Sequence, residues 1–124
     1  MKEQESERGA VAIEFALVLP LLLTIIFAII ELGHAYNVQI SVTHAAREAA
    51  RTMAVEQVWS DAITAAQDSS PSLDPADLSL TPIPAACSPD ATIEVRAQYP
   101  LPGLTGLMPS GITVTGKAAM QCGG

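Results

Sequence analysis

Apolar and polar positions divide the chain into a charged lead, a solid apolar run, a stretch of helical spacing and a stretch of alternation. Met1 to Gly9 is polar, setting Lys2 and Arg8 against Glu3, Glu5 and Glu7, and reads as a tail without structure. From Ala10 to Ile30 only Glu14 and Thr24 break the apolar character, and no charge occurs between Phe15 and Ile30. A helix over 10–30, at about 1.5 Å per residue, reaches roughly 30 Å, the thickness of a bilayer's hydrocarbon core. The pattern predicts one membrane-spanning helix there. Pro20 lies inside it and removes a backbone donor, so a kink or local opening is expected.

From Glu31 to Gln67 the spacing stays helical but becomes amphipathic. Val38, Val42, Ala45, Ala46, Ala49, Ala50, Met53 and Ala54 recur on one side, with His44, Arg47, Glu48, Arg51 and Glu56 around the rest. No proline falls in 31–58, so one rod is expected to run out of the lipid, with Tyr36 at headgroup level. From Asp68 turn formers take over, and eight of the nine prolines lie beyond residue 70. Strands are expected at 78–83, 92–99 ("TIEVRAQY") and 112–121 ("ITVTGKAAMQ"), the last two joined by the Pro- and Gly-rich "PLPGLTGLMPSG" of 100–111. The fold class that follows is α+β: a long N-terminal helix, transmembrane over 10–30 and amphipathic over 31–67, followed by a small, mostly antiparallel sheet in a head over 68–124.

Once the lipid-facing part of the 124 residues is set aside, the water-soluble part is small. Below roughly 70 to 80 residues a core rarely supplies more than a few kcal/mol, so a staple or a partner is expected. Antiparallel pairing of the last two strands brings Cys122 beside the start of the middle strand, just after Cys87. A disulfide there, closing a loop of about 35 residues, would contribute roughly 4 kcal/mol on the chain-entropy model. Two unpaired structural thiols are the plainer alternative. A net charge of −7 with only six Lys plus Arg leaves no basic stripe for phosphates, so nucleic acid is not an expected partner.

Catalytic and metal chemistry find little support. Glu31 and His34 stand at i, i+3, a spacing used in di-iron bundles, but the further carboxylates are missing and interfacial polar residues are the simpler reading. His44 and Glu48 at i, i+4 make an ordinary solvated pair. With no nucleophile motif, phosphate loop or Cys-x-x-Cys, neither an enzyme nor a cofactor is expected.

Glu14 is harder to dismiss. An acidic or basic side chain in a membrane helix costs roughly 2.5 to 3.5 kcal/mol at the centre, and such groups usually have a partner or a task. A cut after Gly9 would leave a new amine on Ala10, with Glu14 one turn further along the same face. In parallel helices, the ammonium of one subunit and Glu14 of its neighbour would neutralise each other and fix axial register.

Gly9, Ala10, Glu14 and Phe15 at the head of an apolar helix resemble the prepilin cleavage motif of type IV pilins. The run from Arg8 to Arg51, "RGAVAIEFALVLPLLLTIIFAIIELGHAYNVQISVTHAAREAAR", resembles the TadE-like family of tight-adherence (Flp-type) pilus assembly proteins, and "VRAQYPLP…GITVTGKAAM" is similar, more loosely, to that family's C-terminal strands. The resemblance implies a minor pilin or pseudopilin cut between Gly9 and Ala10 by a membrane-embedded prepilin peptidase. Glu14, with Phe15, would serve recognition or assembly. The implied partners are the major Flp-type pilin, other minor pilins, the pilus assembly platform and the lipid bilayer. Arg47, Glu48 and Arg51 fall in the family's "AAREAAR" segment, where a subunit contact and surface pairing among themselves are both open. The leader departs from the usual basic one in carrying three Glu.

Flanking Lys and Arg do not orient the span, since Lys2 and Arg8 balance Arg47 and Arg51. The cysteine pairing and the cleavage motif put the N-terminus in the cytoplasm and the head outside, in the membrane or in an extracellular pilus. Two rivals remain: a secretory signal cut after Ala35, and an unprocessed single-span binding module that uses 100–111 as its contact loop. The small residues Ala45, Ala46, Ala49 and Ala50 suit packing between subunits and equally packing on the protein's own sheet.

Overall fold

The structure is a computed structural model that describes residues 2–123. Helix α1 runs unbroken over Lys2–Glu56, so residues 2–9 are helical instead of an unstructured tail. Glu3 and Glu5 sit in the first turn, where the helix dipole favours carboxylates, and the surrounding Lys, Gln, Glu and Arg are good helix formers. The helix continues through Pro20, four residues after which the Thr24 hydroxyl donates to the Pro20 carbonyl at 2.8 Å.

The single rod expected to reach residue 67 stops eleven residues early, at Glu56. Gln57 takes a left-handed backbone, φ +58°, and its N–H donates to the Met53 carbonyl at 3.1 Å, a single-bond left-handed cap. After Val58 a second helix, α2, spans Trp59–Ser69. Folding back lets Ala62 and Ala66 join Ala45, Ala49, Ala50, Met53 and Ala54 in one buried cluster. A continuous rod would have left part of that Ala-rich face in water. Helical spacing runs on across the bend because both sides of it are helix.

Three strands follow: β1 Ser79–Ile83, β2 Thr92–Pro100 and β3 Thr113–Gln121, in spatial order β1-β2-β3 with both pairings antiparallel. In β2, Ile93, Val95, Ala97 and Tyr99 point inward onto α1, while Glu94 and Arg96 pair at 3.6 Å on the outer face. Ala45, Ala46, Ala49 and Ala50 are wholly buried within the protomer. The small-residue face therefore serves the chain's own sheet and α2. Close approach is needed in particular at Gly116, where an added Cβ would stand 2.8 Å from the Thr43 backbone.

Strand direction positions the two ends of the head. Ile93 and Val95 share the cluster of Met53, Ala54 and α2, whereas Ala97, Tyr99 and Leu101 pack with Val38, Val42 and Ala46. β2 thus runs back along α1 toward its apolar half. The β2–β3 loop hangs at the Glu31 end, and Cys122 lies at the far end with the α1–α2 bend.

Candidate functional site

The proposed cleavage segment is fully presented. Gly9, Ala10, Glu14 and Phe15 lie on exposed helix, and none of the most apolar eighteen residues of α1 is buried. A Cβ on Gly9 would meet no atom within 4 Å, so packing makes no demand for glycine there. Among the described residues the one ion pair is Glu94–Arg96, which leaves Glu14 with no salt-bridge partner among them.

The same holds for the second set of candidates. Arg47 and Arg51 are exposed and Glu48 half-buried, and neither arginine reaches Glu48 in an ion pair. Arg47 lines a shallow groove on α1 with Tyr36, Ile40 and His44, and Arg51 lines another with Val55, Met120 and Gln121 between α1 and β3. The Arg side chains and the cleavage segment are far apart along the helix and form no common site.

Cys87 and Cys122 are joined by a disulfide, with Cα atoms 5.8 Å apart. It fastens the β1–β2 loop to the end of β3. Next to it the Cys122 N–H donates to Ala91 at 2.7 Å and the Gly123 N–H to the Ala54 carbonyl at 3.0 Å, which ties the end of the sheet to the last turns of α1.

The opposite end is fastened by a group that the sequence pattern leaves among interfacial polar residues. Glu31 is only 3% exposed. Its Oε1 accepts the Leu104 N–H at 3.0 Å, and its Oε2 accepts the Thr105 N–H at 2.9 Å and the Thr105 hydroxyl at 2.7 Å. The Thr105 hydroxyl, against the opposing effect of burial and together with the two N–H groups and the nearby His34, holds the carboxyl below its ordinary value. Gly103 leaves room for this, since a Cβ there would lie 3.1 Å from Oε1. With its oxygens engaged by the loop, Glu31 is a structural acceptor, and no cluster of three metal-ligating side chains occurs among the described residues. The one signal in the sequence was a carboxylate at the lip of an apolar run.

These features define a protein whose N-terminal helix is long and apolar enough to cross a membrane and whose C-terminal half is a small α+β head. The family model described as TadE-like protein matches residues 9–51, from the glycine before the proposed cut to the second exposed arginine, so that segment of the chain is similar to that family. No curated protein and no solved structure matches the chain.

Proposed function

We propose that this chain is a minor pilin or pseudopilin of a tight-adherence (Flp-type) type IV pilus system, cut after Gly9 by a prepilin peptidase. The observation that carries this reading is a TadE-like match starting at Gly9, on a helix whose Glu14 faces outward without an ion-pair partner among the described residues. Processing frees the Ala10 amine one turn before Glu14, and the two charges neutralise each other between neighbouring helices. Assembly is the mechanism, not catalysis. The span is held in the cell membrane with the N-terminus in the cytoplasm. The head, with its disulfide, stands in an oxidising extracytoplasmic space. The major pilin, other minor pilins and the assembly platform are the partners, and the exposed Arg47 and Arg51 offer a contact to them.

N-terminal sequencing and intact mass of the membrane-fraction protein, with and without the peptidase, test the reading. The expected product starts at Ala10 only when the peptidase is present. A start at Tyr36 would mean a secreted domain, and an intact Met1 an anchored binding module. Glu14→Ala is expected to leave the protein in the membrane and to abolish co-assembly with the major pilin; unchanged assembly would remove the register role.

A further inference from the structure

The β2–β3 loop carries an apolar surface that the head's core does not use. No residue from Ala97 to Gly116 is charged, whereas the turns before β1 and β2 hold Asp74, Asp77 and Asp90. Leu104 and Leu107 are 58% and 52% exposed. Single exposed leucines are ordinary on a protein surface. These two lie on a loop that Glu31 fastens to α1 at the first residue beyond the apolar run, the level at which the hydrocarbon core would end.

Part of the loop backbone is answered within the protein. Pro100, Pro102 and Pro109 have no N–H to satisfy. The Leu101 N–H donates to the Ile112 carbonyl at 2.8 Å, and the Leu104 and Thr105 donors end on Glu31. The N–H groups of Gly106, Leu107 and Met108 have no such partner among the described residues, so the loop suits the hydrated headgroup boundary and not the hydrocarbon interior, where irregular backbone must be answered from within the protein.

We propose that the Leu101–Ile112 loop is a second membrane contact, with Leu104 and Leu107 seated at the boundary between headgroups and acyl chains. The ligand is the bilayer surface itself, continuous with the lipid around the span, and Glu31 sets the depth. The loop and the span then hold the head against the membrane at two points. This rests on the membrane-spanning reading of α1.

The test uses the full chain in phosphatidylcholine vesicles. Trp59→Phe removes the only tryptophan, Leu107→Trp places the reporter, and Leu22→Trp in the same background reports on the span. Lipids brominated near the top of the acyl chain are expected to quench the indole at position 107 roughly twofold or more, as befits a group about 5–10 Å inside the boundary. Adding Leu104→Asp is expected to reverse most of that quenching. A quenched indole at 22 with an unquenched, water-like one at 107 overturns the loop contact while leaving the span intact. A blue-shifted but unquenched indole at 107 also overturns it, because protein and not lipid then covers the loop. No quenching at position 22 removes the span and the proposal together.

Discussion

At Gly116 a hydrogen stands where any side chain would collide with the backbone of Thr43. Gly116→Ala is therefore expected to destabilise the head by about 1–3 kcal/mol, the usual cost of overpacking, measured by denaturant unfolding of the full chain in detergent. An unchanged midpoint would mean that helix and sheet separate without penalty. Gly9 is the opposite case. It weakens a helix by about 1 kcal/mol relative to alanine, yet nothing surrounds it, so the need for it lies outside the fold. Gly9→Val is expected to leave unfolding within about 0.5 kcal/mol of the parent and to leave the leader uncut, read by intact mass. A processed Gly9→Val protein would contradict the proposed cut. Sequence alone could separate these glycines only halfway. Gly9 is conspicuous because its neighbours form a local motif, whereas Gly116 looks like any weak point in a strand until the β3 register and the helix behind it are known.

Elements were legible where their signal is local and periodic. The alternation in "TIEVRAQY" placed a strand over 92–99, and β2 spans Thr92–Pro100. The apolar run likewise gave the helix through residues 10–30. The bend at Gln57 was not legible, because no Gly or Pro marks it and the fold-back follows from burying a shared Ala face. Nor was the Glu31 clasp, whose partners lie 73 and 74 residues away. That clasp has a pH dependence with a defined sign. The carboxyl is held below its ordinary value of 4.5, chiefly by the Thr105 hydroxyl. A lowered folded value means that the charged form favours the closed loop: the contribution is complete above 4.5 and is lost as pH falls through the folded value. Hydrogen-exchange protection factors at the Leu104 and Thr105 amides are expected to be high at neutral pH and to collapse on acidification. Glu31→Gln is expected to lower them at neutral pH and to remove the acid transition. Protection that is identical in both proteins would show that the loop is held by its other contacts.

At the scale of the whole molecule, the head is a thin sheet laid along one side of α1 and pinned at each end. The Glu31 clasp closes the end nearest the apolar run, and the Cys87–Cys122 disulfide with the Gly123–Ala54 hydrogen bond closes the other. Between them eight of the eighteen buried apolar residues are alanines, which allow close approach but bury little area each, so the fold depends on its fastenings more than a core of large side chains would. The cross-link spans 35 residues of chain. On the chain-entropy model its removal is expected to cost about 4 kcal/mol, a large part of what so small a core supplies. The Cys87→Ser, Cys122→Ser double variant, unfolded by denaturant in detergent, measures that loss. Because the two pins lie at opposite ends of the sheet, the loss is expected to be uneven: amides of α2 and the β1–β2 loop exchange faster, while Leu104 and Thr105 stay protected. A change below about 1 kcal/mol would show that helix and sheet packing carry the head alone. Simultaneous loss of protection at Leu104 and Thr105 would mean that the head unfolds as one cooperative unit in which neither end holds by itself.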